Sequence, residues 1–300
     1  MTQIPAMVCV YGASGSGKTT DCGYSFPNAL FIATPGALQS ITHTCGYTPA
    51  SIDVPDIQSA TKALLDVKDK GYDAIVVDDF SFLAEKTISI LEKRYKGFSL
   101  WGELRDVTLE FRNAARYCGV HVILNCWEQA RKNRTDGTFV RGGPLLSGKL
   151  PEQLPAMCDL VLRCGRHSQR KPWTGIYRCE HSLEFVMKDR FGVCYDLNPI
   201  PMNLAEILRS VGCTVSRHKS LDWQEEIVEE FSKDLASGAP QEFIPTVEKL
   251  YKGLVDKGID PKHARWTIRD VLDRTVIRKS LSTRSQSFFG ASSNGLGSLN

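Results

Sequence analysis

No apolar run in these 300 residues approaches the roughly 20 needed to span a bilayer. The first residues carry no basic segment followed by a cleavable apolar one, so the chain is expected to stay in the cytoplasm. None of the ten cysteines stands in a C-x-x-C pair, which argues against a structural zinc site and against a redox motif. Cys9, Cys126, Cys158 and Cys164 lie inside or beside apolar runs. Cysteine there behaves as a small buried hydrophobe, and reduced thiols fit a cytosolic chain. Net charge is also scarce, 37 basic against 34 acidic side chains, so bulk charge alone selects no partner. What is present is a composition 42% hydrophobic and 24% charged, enough for one large or two smaller domains with a buried core.

The distribution of charge says more than its sum. Residues 129–149 carry five cations (Arg131, Lys132, Arg134, Arg141, Lys149) against Asp136, and residues 260–284 carry seven against three aspartates. Two basic regions on a near-neutral chain point to a directed anionic partner.

Short apolar runs at Met7–Tyr11, Ala29–Ala33, Ala74–Val77, Val120–Asn125 and Leu160–Cys164 alternate with helical patterns at 18–25, 57–70, 81–95 and 102–118. That alternation predicts an α/β fold with a mainly parallel central sheet covered by helices. Gly175–Glu180, Leu183–Lys188 and Val193–Leu197 read as antiparallel strands extending the sheet edge, and a short helix is expected over Leu204–Val211. Beyond it the pattern is helical only: Trp223, Ile227, Phe231 and Leu235 recur every three or four residues. Another helix opens at Asp260-Pro261. The expected organisation is an α/β domain over 1–215, a small all-helical domain over 216–280, and a Ser/Gly/Asn-rich flexible tail over 281–300.

Gly12, Ala13, Ser14, Gly15, Ser16, Gly17, Lys18 and Thr19 satisfy G-x-x-x-x-G-K-[ST], between an apolar strand and a helix, with Thr20 next. Glycines let successive backbone N–H groups turn toward phosphate oxygens, and the helix N-terminus adds its dipole. Lys18 would reach the β- and γ-phosphates of ATP, and the Thr19 hydroxyl would ligate Mg2+. The run Ala74–Asp79 has the form of the partner strand, with Asp78 holding the magnesium and Asp79 either orienting the attacking water or serving as a solvated turn. Asn125 or Glu128, at the carboxyl end of a central strand, can sense the γ-phosphate, and Glu128 can equally open a loop. The 129–144 loop, with Gly137, Gly142 and Gly143 for mobility, suits single-stranded nucleic acid through Arg131, Lys132, Arg134 and Arg141, or is simply solvated. Lys188 and Arg190, at i and i+2 of a strand, share a face and can point at one anion, such as a neighbouring subunit's ATP.

Together the loop, the Asp78 strand, the basic glycine-containing segment and the late Lys188-Asp-Arg190-Phe-Gly192 resemble the RecA-like recombination ATPases. The last motif is similar to the K-N-R-F-G of the RadA branch-migration proteins, with Asp189 in place of Asn. The layout of residues 5–212 most resembles the RecA-like single-strand annealing ATPases of bacteriophages. The resemblance implies a RecA-like P-loop NTPase, phage-encoded and residing in the host cytoplasm. It implies ATP-dependent binding of single-stranded DNA, annealing or strand exchange, and a ring or filament of identical subunits with ATP at their interfaces. Lys188 and Arg190 would then be ATP-contacting across that interface. The chain departs from RecA-type enzymes after Ala29–Ala33, where Thr34-Pro35-Gly36 supplies no acid to activate water. That task would fall to Asp79 or Glu128, or hydrolysis would be slow.

Three other readings use the same loop: a helicase or helicase loader, a nucleotide-dependent regulatory switch, and a small-molecule kinase. The tail residues Gln286–Phe289 would suit docking on a single-strand binding protein or sliding clamp.

Overall fold

In the strand that leads into the phosphate loop and in that loop's partner strand, the side chains are apolar until the last residue, and this dictates where they go. Strand β1 (Met7–Gly12) and strand β4 (Ala74–Asp78) are buried along their whole length. Continuous apolar strands of this kind belong in the middle of a parallel sheet with both faces covered. The structure, a computed structural model, describes residues 5–68, 70–133, 135, 137, 139–168, 171–179, 182–192, 194, 200–215, 251–253 and 255–256, with backbone only for 166–174, 200 and 201.

From the amino terminus, β1 leads into α1 (Lys18–Ser25), β2 (Ala29–Ala33), α2 (Gln39–Cys45), β3 (Ala50–Ile52), α3 (Ile57–Asp66), β4, α4 (Phe80–Leu91) and α5 (Phe98–Tyr117). Then come β5 (His121–Gln129), the short pieces β6 (Lys132–Asn133), β7 (Phe139–Val140) and β8 (Gly143–Pro144), and α6 (Leu150–Met157). Last are β9 (Leu160–Ser168), β10 (Lys171–Arg178), β11 (Lys188–Asp189), β12 (Ile200–Pro201) and α7 (Leu204–Ser210). Along the sheet the order is β12-β10-β9-β1-β5-β4-β2-β3. The run from β9 to β3 is parallel throughout, whereas β10, β11 and β12 are antiparallel and β8 pairs antiparallel with the end of β5. The expected α/β fold with a mainly parallel sheet and antiparallel edge strands is therefore what the chain adopts.

Side chains alternate across the sheet, and the two faces are covered by different helices. Cys9, Tyr11, Val77, Val122 and Cys126 pack with Phe80, Phe111 and Leu154 of α4, α5 and α6 in one continuous core. Each such buried side chain contributes roughly 1.5–3 kcal/mol. The Asp56 side chain caps α3 by accepting from Ser59 N at 2.7 Å, and Asp79 does the same for α4 from Phe82 N at 3.2 Å. All ten cysteines are buried thiols outside any disulfide.

Several boundaries differ from expectation. Helix α3 stops at Asp66 and α4 at Leu91, while α5 starts four residues early at Phe98. The expected strand over 183–188 is mostly irregular: only Lys188–Asp189 pairs with β9, because Phe185 instead bridges Gly142. Helix α2 escaped the periodicity argument because only Ile41 and Cys45 are buried on it. Helix α6 carries prolines at its first turn and at Pro155, which in sequence read as breakers.

The chain divides into two compact units, Met1–His218 and Lys219–Asn300. Residues 251–253 and 255–256 of the second are helical. The rest of the helical pattern, the strand expected at Val193–Leu197 apart from Cys194, and the 281–300 tail with Gln286–Phe289 lie outside the described residues. No described helix is long and apolar enough to cross a membrane.

Candidate nucleotide site

The loop after β1 needs glycine for two reasons. Gly15 and Gly17 have φ of 70° and 98°, the left-handed region that L side chains avoid. At Gly12 a Cβ would stand 2.7 Å from the Cys164 carbonyl oxygen, so β9 leaves room for hydrogen only. Gly17 is also the N-cap of α1, which aims the helix N-terminus at the loop. Ala13, Ser14 and Gly15 are exposed, while Ser16 is buried. The Lys18 ammonium is folded into the loop, donating to the carbonyls of Gly12 at 2.8 Å and Ala13 at 3.1 Å. Half-buried Thr20 faces α2, its carbonyl accepting from the Cys45 thiol.

Thr19 and Asp78 meet. The Thr19 hydroxyl lies 2.9 Å from Asp78 Oδ2 and 3.1 Å from Oδ1, across 59 residues of sequence. Asn125, fully buried on β5, donates its amide to Asp78 Oδ1 at 2.8 Å. Burial pushes the Asp78 carboxyl up, and the Asn125 and Thr19 hydrogen bonds pull it back. A hydroxyl and a carboxylate side by side are hard oxygen donors, and magnesium characteristically takes one or two such ligands and fills the remainder with phosphate and water. Among the described residues no cluster of three His, Cys, Asp or Glu could hold a metal alone.

Asp79 is the α4 cap, and burial raises its carboxyl to about 6. It lines a groove with Asp53, Asp78, Thr34 and Lys86. Asp53, at the end of the short β3, was not singled out by sequence because β3 itself carries only Ala50–Ile52, all exposed. It pairs with Lys86 at 3.6 Å.

Glu128 remains within β5, and its carboxylate receives Arg163 Nη2 at 2.8 Å. It therefore starts neither helix nor loop, contrary to one of the two expectations. Within the 129–144 segment, several described residues are paired. Lys132–Asn133 pairs with Phe139–Val140 as a hairpin. Arg131 pairs with Glu184, and Arg141 donates to the carbonyls of Ser182 and Phe185. Glycine at 142 serves contact here, since a Cβ would meet the Phe185 ring at 2.5 Å. Lys132 is exposed, and Arg134 lies outside the described residues.

Lys188 and Arg190 do converge, but on acceptors of their own chain. Lys188 Nζ lies 2.7 Å from the Cys158 carbonyl and 3.1 Å from that of Ala156, at the C-terminus of α6. Burial, with Arg190 nearby, lowers the Lys188 ammonium's pKa. Arg190 reaches Asp159 Oδ1 at 2.7 Å. Asp159 also accepts from Arg116 at 2.6 Å and from Met7 N at 2.9 Å. Met7 begins the strand that ends in Gly12, so this cluster sits at the opposite end of β1 from the phosphate loop. Arg116 and Asp159 were not anticipated, because nothing in sequence links residues 43 apart.

Residues 4–191 match the family described as "AAA domain". No curated protein matches the chain. Among solved structures, the RadB recombinase is similar at 19% identity over 58% of this chain and 80% of that one, with a TM-score of 0.39. A KaiC-like protein from the hyperthermophilic archaeon Pyrococcus horikoshii OT3 is similar at 17% identity over 58% and 78%, with a TM-score of 0.36.

Proposed function

We propose, for a chain that belongs to the AAA domain family, the function of a magnesium-dependent ATPase of the RecA-like recombination type that binds single-stranded DNA and promotes annealing. The observation that carries the nucleotide part is the 2.9 Å contact of Thr19 with Asp78 beside a glycine-built loop. When bound, magnesium would offset the negative charge that develops in the transition state. Thr19 and Asp78 would hold it, Lys18 would turn from the Gly12 and Ala13 carbonyls to the phosphates, and Asp79 would orient the water. Lys132 is the best supported contact to a nucleic acid backbone, since Arg131 and Arg141 are engaged with 182–185.

In a homo-oligomer with ATP at its interfaces, Lys188 and Arg190 act on the neighbour's triphosphate. Their position at the amino-terminal ends of β9 and β1, away from their own loop at the other end of β1, supports action in trans. A phage origin and a single-strand binding protein as partner rest on the sequence resemblance and the tail.

ATP turnover with and without single-stranded DNA tests the reading, on wild type, Lys18→Ala and Lys188→Ala. Turnover should vanish in Lys18→Ala. Lys188→Ala should keep nucleotide affinity, lose stimulation and poison mixed oligomers. Turnover in Lys18→Ala equal to wild type would overturn it. A nucleotide switch with weak hydrolysis is the second reading, favoured by the acid-free Thr34-Pro35-Gly36 after β2. It predicts ATP binding with no turnover on DNA.

A further inference from the structure

Arg163 stands on β9 in register with Tyr11, the last residue before the phosphate loop. Its guanidinium has two engagements. On one side it donates to Glu128 Oε1 from Nε at 3.2 Å and from Nη2 at 2.8 Å, a fork-shaped contact with the carboxyl end of β5. On the other it lies over the Phe185 ring, 3.6 Å from the centroid.

Phe185 belongs to a segment locked to the basic hairpin. Gly142 N donates to the Glu184 carbonyl and Val186 N donates to the Gly142 carbonyl, each at 2.8 Å. Arg141 donates to the Ser182 and Phe185 carbonyls, and Arg131 pairs with Glu184. Residues 139–144 and 182–186 therefore move as one clasp, and Arg163 is where that clasp meets the nucleotide edge. Tyr11 adds an independent sign that the junction is not a finished core: its hydroxyl is fully buried and finds no hydrogen-bond partner among the described residues. Burial raises the pKa of this phenol, while the Arg163 charge acts against the rise.

We propose that Arg163 is a positioning residue that transmits nucleotide occupancy to the 139–144/182–186 clasp, by exchanging its hold on Glu128 for the field of the bound phosphates. The inference rests on the nucleotide reading above. A triphosphate in the loop brings several negative charges close to the guanidinium, and they compete with Glu128 for it. Any shift of the guanidinium slides it over Phe185, and that contact passes the movement to the clasp and its cations. A lysine would keep the charge and lose both the fork and the flat face.

The test is hydrogen exchange of the full chain, read at 139–144 and 182–186, with magnesium plus ATPγS and with magnesium plus ADP, alongside direct measurement of nucleotide affinity. In wild type, ATPγS should change exchange at both segments by roughly threefold or more, a shift of at least about 0.65 kcal/mol in opening equilibrium. ADP should change it less. Arg163→Lys and Phe185→Leu should lose the response while nucleotide affinity stays within about threefold of wild type. A merely structural role would instead raise exchange equally with and without nucleotide. Wild type that binds ATPγS without changing these segments, or either variant responding as wild type does, overturns the proposal. Failure of wild type to bind nucleotide at all overturns the nucleotide reading first, and this inference with it.

Discussion

Asn125 donates its side-chain amide to Asp78 at 2.8 Å, and both side chains are buried where the end of β4 stands in register with β5. The amide fixes the carboxylate whose other oxygen faces Thr19. It also offsets the burial that favours the protonated form of Asp78. Removing one hydrogen bond to a buried carboxylate costs about 1–3 kcal/mol. Asn125→Leu should therefore raise the magnesium concentration needed for half-maximal nucleotide binding by about tenfold at neutral pH, as with other residues that support metal ligands. A magnesium titration at fixed nucleotide reads this directly.

Asp79 separates two roles by choice of variant. Asparagine is as good an N-cap as aspartate, so Asp79→Asn should leave thermal stability within about 0.5 kcal/mol, whereas Asp79→Ala should lose about 1 kcal/mol. With its carboxyl raised to about 6 by burial, a water-orienting Asp79 gives kcat a rise with pH through that value. Asp79→Asn should remove that limb and slow turnover while the fold holds. A pH–rate profile on both variants separates cap from catalyst.

Asp159 is a buried carboxylate with Arg116, Arg190 and Met7 N around it, and the three contacts are unequal. Arg116 is largely buried, with side-chain exposure of 15%, while Arg190 is 53% exposed. Removing one partner from a buried pair costs roughly 3–5 kcal/mol, and an exposed pair contributes about 0–1. Arg116→Ala should thus destabilise the chain strongly in denaturant unfolding, and Arg190→Ala hardly at all. That asymmetry leaves Arg190 available for a second partner.

His121 predicts a pH dependence of stability. Its Nδ1 accepts from Ala6 N at 3.1 Å and its Nε2 lies 3.1 Å from the Thr214 carbonyl, an arrangement only the neutral ring satisfies. Burial lowers its pKa below 6.5. The unfolded chain then binds more protons, so the stabilisation is complete above about 6.5 and falls as pH drops through and below that value. Denaturant midpoints from pH 7.5 to 5 should decline in wild type and less in His121→Gln.

Much of the central sheet was legible because Met7–Tyr11 and Ala74–Val77 are unbroken apolar runs, and fully buried parallel strands leave that mark. The loop from Gly12 to Thr19 was legible because a backbone cradle demands glycine at fixed positions. Contacts between distant elements left no such trace. Asn125 on Asp78, Arg163 on Glu128 and Arg116 on Asp159 each depend on sheet register and helix placement, which local pattern does not encode. The pairing of Lys132–Asn133 with Phe139–Val140 was not anticipated for a related reason, and neither was the close approach at Gly142, where a Cβ would meet the Phe185 ring.

Calorimetric titration of the full chain with ATP, in magnesium and in EDTA, bears most directly on the site formed by Thr19, Asp78 and Lys18. Wild type should bind at micromolar to sub-millimolar concentration with magnesium, on the order of −5 to −8 kcal/mol, and much more weakly in EDTA. Thr19→Ala should erase the magnesium dependence, and Lys18→Ala should erase binding. No heat from wild type at millimolar ATP with magnesium, or equal binding by all three proteins, would contradict the account.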